Sequence, residues 1–296
     1  MIGSMSKRTL PAIFIVGLCI LLTYQAKSIQ ADIETAPTAE FLAAALKFQE
    51  QACGPSLDVR YIVEGVREPK EGTGRISVRY VRTPATLFLE EAISSYTASG
   101  DWAPSFTTRH NYTRDTRCYR MVSVAERNNP RAQGVIDRTT VHRFQQNTVF
   151  DPVRFPLLLV PLYERVATGI VASEQEIING HACWRVDIPP FDAGGPIVRW
   201  SVWLDPNVGY CPRRIVETDT RATETRTTTT TFDAYKALGN GVWFPMESTS
   251  DYGNNKGLRM KVQSVAVGRE IPASELRIEF PSGAVVRNGE DLMIMP

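Results

Sequence analysis

The sequence has little of what catalytic and metal sites are usually built from. It contains three histidines and five cysteines in 296 residues, and no two cysteines stand in C-x-x-C spacing. It has no G-x-S-x-G motif, no H-E-x-x-H motif and no complete phosphate-binding glycine loop. We therefore predict a protein that is not an enzyme and that uses no cofactor and no metal. A hydrolase would need a nucleophile and a base that the sequence does not show.

A strong net charge is also missing. The chain has 33 basic and 32 acidic residues, and residues 1–28 contain three of the basic ones and none of the acidic ones. A protein that neutralises many phosphates normally carries a basic domain or stripe. The nearly neutral composition therefore excludes nucleic acid as an expected partner.

The N-terminal segment has the three regions of an export signal in order. Two basic residues, Lys7 and Arg8, precede an apolar run from Leu10 to Leu22, and the small residues Ala26 and Ser28 follow. We predict a signal peptide over residues 1–28, cleavage near Ile29 and a periplasmic mature protein. The apolar run is shorter than the roughly 20 residues that span a bilayer, so a retained membrane anchor is the alternative.

Four cysteines remain after this cleavage: Cys53, Cys118, Cys183 and Cys211. An even number in an exported chain permits two disulfides, with three possible connectivities. Free, buried cysteines are the alternative, because a chain of this length can bury a core without cross-links.

The histidines offer one weak candidate site. His181 and Cys183 stand two residues apart and would share a strand face, where they could form a Cys–His pair or two metal ligands. Cys183, however, begins a plain amphipathic strand, and no third ligand lies close by. His110 and His142 lie in polar stretches, and we expect both at the surface.

One helix is predicted before a long series of strands. The stretch from Thr38 to Pro55 places Phe41, Ala45, Phe48 and Ala52 on one face, with Leu42 and Leu46 beside them. Alternation then predicts strands at "SLDVRYIVEG", "GRISVRYVR", "ATLFLEEA", "TRCYRMVSVAE", "HACWRVDIP", "TTTTTFDAY", "VWFPMESTSDY" and "LRMKVQSVAV". Turn sequences such as Asn179-Gly180 between them favour hairpins, so the sheet should be mainly antiparallel.

Two segments interrupt this pattern. The apolar stretch from Phe150 to Gly169 contains three prolines and no strand alternation, which is typical of short helices or of a lid-like segment, or else of an ordinary core helix. The threonine tract from Thr227 to Thr231 has high β-propensity, and we interpret it as a solvent-facing strand. No Pro/Gly/Ser linker divides the mature chain, so we expect a single domain over residues 38–290.

The hairpin from Val198 to Asp219 contains an acidic residue that could be mistaken for a catalytic one. Alternation places Trp200 and Trp203 on opposite sides of the first strand. Asp205 is followed by Pro206, and Gly209 can take a positive φ, which is typical of a turn. We therefore interpret Asp205 as a turn residue.

Apolar side chains on alternating strand positions are what the sequence has in abundance. A long antiparallel sheet with few helices to cover it favours a face that takes an apolar ligand, although a packed core is the simpler interpretation. The candidate ligand-binding residues are Val198, Trp200, Val202, Leu204, Trp184, Val186, Leu157 and Leu158.

Together, these features resemble the LolA/LolB-like superfamily of outer-membrane lipoprotein-sorting carriers. The matching segments are "VWLDPNVGYCPRRIVE", "INGHACWRVDI", "GNGVWFPMES" and "LRIEFPSGAVV", within residues 38–287. The resemblance implies a mainly β (α+β) fold: an incomplete antiparallel β-barrel, or half-barrel, covered by a few helices. It also implies an apolar cavity for acyl chains, and a lid-contacting arginine for which Arg60, Arg79 and Arg199 are candidates.

The function that we predict is binding of an apolar ligand, either lipid or the acyl chains of a lipoprotein, by an exported chaperone-like carrier in lipid or lipoprotein trafficking towards the outer membrane. A membrane-associated protein is a further possible partner. The alternative is an envelope sensor or scaffold of the same fold that binds a protein partner, which exposed apolar residues on the convex face would favour. The chain is longer than a minimal carrier.

Overall fold

The computed structural model describes residues 36–84, 86–113, 117–124, 131–138, 161–192, 197–221, 224–253, 256–288 and 291–295. The predicted signal peptide, His142, Leu157 and Leu158 lie outside the described residues. From Thr38 onward the chain forms one compact unit. No helix in the described ranges has the length and apolar character needed to cross a bilayer.

The described residues form three short helices and fifteen strands. The helices are α1 (Ala39–Ala52), α2 (Leu162–Val166) and α3 (Ala273–Leu276), and a 3-10 turn covers Pro206–Val208. The strands are β1 (Leu57–Gly65), β2 (Gly74–Arg82), β3 (Thr86–Tyr96), β4 (Trp102–Thr113), β5 (Arg117–Val124), β6 (Arg131–Arg138), β7 (Ile170–Ile178), β8 (His181–Asp192), β9 (Ile197–Asp205), β10 (Cys211–Arg221), β11 (Glu224–Gly239), β12 (Val242–Asp251), β13 (Gly257–Val267), β14 (Val285–Asn288) and β15 (Asp291–Ile294).

All fifteen strands belong to one sheet, in the order β15-β14-β6-β5-β4-β3-β2-β1-β13-β12-β11-β10-β9-β8-β7. Two series of consecutive hairpins, β1 to β6 and β7 to β13, meet where β1 pairs with β13. Every pair is antiparallel except β14 with β6. The sheet does not close, so the predicted mainly β half-barrel with a few helices is confirmed.

Helix α1 defines the inner face of the sheet, the face against which it packs. Thr38 begins the helix, since its hydroxyl accepts a hydrogen bond from the Phe41 backbone N–H at 3.2 Å. The buried residues are Leu42, Ala43, Leu46 and Gln49. The predicted buried face was wrong by about one position, because Phe41 is 45 % and Phe48 54 % exposed.

The polar residue Gln49 explains that error. Its amide donates to the Gly241 carbonyl and accepts from the Trp243 backbone N–H, both at 2.9 Å. A buried amide is stable when its hydrogen bonds are satisfied. The periodicity of apolar residues alone therefore predicted the wrong buried face, the one that carries Phe41 and Phe48.

The inner face carries the main core. Alternation along β1 buries Leu57, Val59, Tyr61 and Val63, and their cross-strand neighbours on β2 include Val78 and Tyr80. These side chains form one cluster with Leu42 and Leu46 of α1 and with Leu162 and Val166 of α2. The predicted helical character of the segment that ends at Gly169 is confirmed for residues 162–166.

The outer face is covered only in places. Near β2 and β3, Val81 and Phe88 pack against Leu276 and Ile278, which belong to and follow α3. Around them lies an ion-pair network in which Arg79 bonds Asp58 at 2.8 Å and Glu275 at 3.0 Å. On β7 to β10 a second small cluster contains Ile178, Cys183 and Trp203.

The hairpin between β9 and β10 is a turn, as predicted, and it is also a buried ion pair. The Asp205 carboxylate accepts from the Asn207 backbone N–H at 2.8 Å, and Gly209 has a φ of 66°. Asp205 is completely buried and also accepts from Arg213 Nε at 2.8 Å. This pair was missed, because nothing in a local turn pattern indicates which arginine folds back onto it.

The structure also corrects the expectations for the cysteines and for His110. Cys53, Cys183 and Cys211 are buried and form no disulfide, so the alternative with two disulfides among the four cysteines after residue 28 is wrong. His110 was expected at the surface, but it is only 3 % exposed, and its Nε2 lies 4.0 Å from Glu91 Oε2. Its polar sequence context concealed strand β4, whose inward residues include Thr108 and His110.

The threonine tract lies within β11, as predicted, but only part of it faces solvent. Thr227 is exposed, whereas Thr230 is half-buried and its hydroxyl lies 2.9 Å from the Ser250 hydroxyl on β12. Period-two alternation turns neighbouring threonines to opposite faces of a strand. One side of this tract therefore belongs to the inner face.

Candidate ligand-binding face

The strand register brings six of the predicted ligand-binding residues onto one surface. Trp184 lies opposite Leu204, and Val186 lies opposite Val202, across the β8–β9 pair. Trp200 and Val198 continue the same side of β9. All six side chains are at most 5 % exposed: Trp184, Val186, Val198, Trp200, Val202 and Leu204.

These side chains are covered by protein in this conformation. They belong to the same cluster as Leu42 and Leu46 of α1 and Leu162 and Val166 of α2. A ligand on this surface would have to lie between the sheet and the helices. Burial alone does not distinguish a ligand-binding face from a core, so the assignment of these residues to a ligand site stays a prediction.

A carboxylate stands on the same face beside Trp200. Glu217 lies opposite Trp200 across the β9–β10 pair, and the Trp200 indole N–H donates to Glu217 Oε2 at 2.9 Å. Burial raises the pKa of Glu217, the Trp200 hydrogen bond lowers it, and the nearby Asp219 charge raises it. In the described part of the chain no cation pairs with Glu217.

Three hydroxyl residues extend this polar region across the neighbouring strands. Ile215, two residues before Glu217, lies opposite Thr230, and Thr230 lies opposite Ser250. Ser248 follows the same side of β12, between Phe232 on β11 and Met260 on β13. We call Glu217, Thr230, Ser248 and Ser250 the polar strip.

The polar strip lies between two apolar parts of the inner face. On one side are Trp184, Val186 and Val202 of β8 and β9, and on the other are Met260 of β13 and Val63 of β1. Alternation of apolar residues gives no indication of the polar strip. The sequence does show polar residues at the inward positions themselves: Ser248 and Ser250 alternate in "ESTSD", and Glu217 follows Ile215 on the same side of β10.

Helix α1 is fastened to the sheet by polar contacts at its C-terminal end. Beside the Gln49 hydrogen bonds, Glu50 forms an ion pair with Arg82 at 2.9 Å, and both side chains are largely buried. The lid-contacting arginine was expected against a different segment, the lid-like one that begins at Phe150, most of which lies outside the described residues, so the three candidates stay a prediction. Arg60 and Arg199 are exposed, and Arg79 belongs to the outer ion-pair network.

The alternation of β1 explains where Arg60 and Arg79 lie. Arg60 lies between the buried residues Val59 and Tyr61, so its side chain leaves the sheet on the outer side. Arg79 lies opposite Arg60 on β2 and shares that side. Arg82, by contrast, lies at the end of β2 opposite Leu57, close to the last turn of α1.

The predicted pair of His181 and Cys183 does not form a nucleophile and base. Burial raises the pKa of the Cys183 thiol to about 12, so this cysteine is no nucleophile at neutral pH. His181 Nδ1 lies 3.5 Å from Asp205 Oδ2, but that carboxylate is occupied by Arg213. Within the described ranges no group of three His, Cys, Asp or Glu residues could hold a metal ion.

Neither a family model nor a curated protein matches the chain. Among solved structures, a domain assigned as an outer membrane lipoprotein-sorting protein from Vibrio parahaemolyticus is 11 % identical, covers 81 % of this chain and 97 % of its own, and superposes with a TM-score of 0.51. A DUF1329 family protein from Desulfovibrio piger is 8 % identical over 81 % of this chain and 98 % of its own, with a TM-score of 0.49. The Vibrio domain shows that the chain has the lipoprotein-sorting fold, in agreement with the resemblance in the sequence.

Proposed function

We propose that the protein is an exported, non-enzymatic carrier that binds a lipid or the acyl chains of a lipoprotein on the inner face of the half-barrel. The observation that carries this proposal is the continuous apolar surface of β8 and β9, with Trp184, Val186, Trp200 and Val202 in register and in one cluster with α1 and α2. The lipoprotein-sorting assignment of the Vibrio domain, which shares the fold, supports it.

The energetics suit an acyl chain. Burial of methylene groups contributes roughly 0.8 kcal/mol per CH₂, so a long chain gives useful affinity without any charged contact. Helix α1 covers the face with only three apolar side chains, Leu42, Ala43 and Leu46. We infer that the ligand enters by separating α1 and α2 from the sheet, while Gln49 and Glu50 keep the C-terminal end of α1 in place.

The proposed location is the periplasm, with residues 1–28 removed on export. In this setting the protein acts in lipid or lipoprotein trafficking towards the outer membrane. Lipid and acylated lipoprotein are the proposed partners, and a membrane-associated protein that delivers or receives them is a further one.

A second candidate function, a sensor or scaffold that binds a protein, is favoured by the two outermost strands. Ile170 and Ile177 of β7 are 72 % and 69 % exposed, and Leu292 and Ile294 of β15 are 74 % and 76 % exposed. Edge strands with exposed apolar side chains are templates for pairing with another chain. A protein partner would add a strand at one of these edges.

Binding of a fluorescent fatty acid to delipidated protein, followed by titration, tests the carrier proposal. We expect saturable binding to the wild type and at least about tenfold weaker binding to Trp200→Gln, a difference of 1.4 kcal/mol. Trp203→Gln, on the outer face of the same strand, is the matched control and should bind like the wild type. Val202→Thr provides a milder inner-face change if Trp200→Gln does not fold by circular dichroism.

Two results would contradict the carrier proposal. One is the absence of saturable binding to folded wild-type protein. The other is weakened binding in Trp203→Gln with full binding in Trp200→Gln or Val202→Thr, which would move the site to the outer face.

A further inference from the structure

The polar strip contains a hydroxyl whose hydrogen bonds are not satisfied. Ser248 is 2 % exposed, and its Oγ has no hydrogen-bond partner among the described residues. Leaving a buried hydroxyl without a partner destabilises the fold. Its cross-strand neighbours, Phe232 and Met260, are apolar and belong to the main core. Ser248 therefore presents a donor and an acceptor to whatever lies on the inner face.

The rest of the strip determines which polar group can bind there. Glu217 accepts a hydrogen bond from Trp200, and no cation pairs with it within the described ranges. Asp219 follows two residues later on β10, and its charge acts on Glu217. Burial raises the pKa of Tyr252, and the Glu217 charge raises it too. Arg226 lies opposite Asp219 across the β10–β11 pair, whereas Glu217 lies opposite Thr228, so an anionic head group beside Glu217 would meet its negative charge.

We propose that the polar strip binds the uncharged, hydroxyl-bearing end of an amphiphile whose acyl chain lies on the apolar part of the inner face. This inference rests on the proposed carrier function. Ser248 and the Thr230–Ser250 pair supply hydroxyls that can both donate and accept, which suits a ligand hydroxyl. Glu217 accepts from the ligand and discriminates against a carboxylate or phosphate.

Competition between two lipids that share one acyl chain tests this inference. Monoolein and oleate are titrated against a bound fluorescent fatty acid at pH 7.5, each below its aggregation concentration. We expect monoolein to displace the probe at about tenfold lower concentration than oleate, because its hydroxyls form hydrogen bonds with the strip that the oleate carboxylate does not form. Ser248→Ala should lower the affinity for monoolein about fivefold and leave the affinity for oleate unchanged. Glu217→Gln should raise the affinity for oleate.

Matched control variants keep the test specific to the strip. Ser264→Ala on β13 and Glu247→Gln on β12 alter exposed residues of the same types. Both variants should bind the two lipids as tightly as the wild type does. Equal binding of the two lipids to the wild type, or tighter binding of oleate, overturns the assignment of the strip but leaves the carrier function intact. Equal loss of both lipids in folded Ser248→Ala also overturns it. Displacement by neither lipid overturns the carrier function itself.

Discussion

Strand β9 carries two tryptophans that face opposite sides of the sheet and are held in the same way. On the inner face, Trp200 donates to Glu217 at 2.9 Å; on the outer face, Trp203 donates to Glu176 at 2.8 Å. The two glutamates differ in their other partners. Glu176 also forms an ion pair with Arg185 at 2.7 Å. Glu217 forms no ion pair in the described part of the chain, and the Asp219 charge lies nearby.

The difference shows that Trp200 and Trp203 bind carboxylates in different charge environments. On the outer face, acidic side chains are paired with arginines, as Asp205 is with Arg213 and Asp58 is with Arg79. On the inner face, Glu50 is paired with Arg82, but Glu217 is bonded by one neutral donor, the Trp200 indole. Burial of an incompletely bonded polar side chain costs free energy, so a packed core gains nothing from Glu217. The difference therefore supports the proposed ligand site on the inner face.

The largest expected effect follows from breaking the buried pair on the outer side. Asp205→Ala removes the partner of Arg213 and should lower the free energy of unfolding by about 3–5 kcal/mol, because a buried guanidinium is left uncompensated. Urea denaturation measures the change, with Glu247→Ala at an exposed position as the control. Asp205→Asn keeps the turn hydrogen bond but not the charge, and its loss of stability should fall between those of Asp205→Ala and the control. A loss below about 1 kcal/mol in Asp205→Ala would contradict the importance of this pair.

A smaller effect is expected where the β9–β10 turn meets α1. Gly209 has a φ of 66°, and an added Cβ would lie 2.2 Å from the Gln49 amide nitrogen. Gly209→Ala should therefore destabilise the fold by about 2 kcal/mol, from backbone strain and from displacement of Gln49. Gly253→Ala, with a φ of 78° and nothing within 4 Å of the added atom, measures the strain alone. Equal losses in the two variants would show that the Gln49 contact contributes nothing.

The paired tryptophans give a direct test of the difference between the faces. Trp200→Phe leaves Glu217 without its donor, whereas Trp203→Phe leaves Glu176 with Arg185. We expect Trp200→Phe to cost about 1–2 kcal/mol more than Trp203→Phe in urea denaturation at pH 7. The comparison fails if Trp203→Phe is the more damaging variant.

The smallest expected effect is the pH dependence of Glu217. The pKa of this carboxyl is raised above its ordinary value of 4.5 in the folded protein, so the folded state holds its proton to higher pH than the unfolded chain does. Stability contributed by the protonated form is complete at low pH and declines as the pH rises from about 4.5 through the folded pKa. Glu217→Gln, measured without ligand, should match the wild type at pH 4 and be more stable at pH 7. Greater stability of the wild type than of Glu217→Gln at pH 7 would contradict a raised pKa of Glu217.

Local alternation was sufficient to predict the strands that carry the inner apolar residues and the turn at Asp205. It failed for β4, whose inward residues Thr108 and His110 are polar, and for the helix face on which Gln49 is buried. The partners Arg213 and Arg82 come from other parts of the chain, so sequence spacing contains no signal for them. Glu217 and Ser248 could have been found by asking which polar residues occupy inward positions of alternating strands.

The most direct test of the central claim is to identify the residues that contact a bound acyl chain. Delipidated protein is incubated with a diazirine-bearing fatty acid, irradiated and digested, and the cross-linked residues are determined by mass spectrometry. Our account predicts adducts on β8 and β9 at inner-face positions such as Val186, Val202 and Leu204, with competition by unlabelled fatty acid. Adducts confined to the exposed residues of the edge strands, such as Ile170, Ile177 and Ile294, would contradict it.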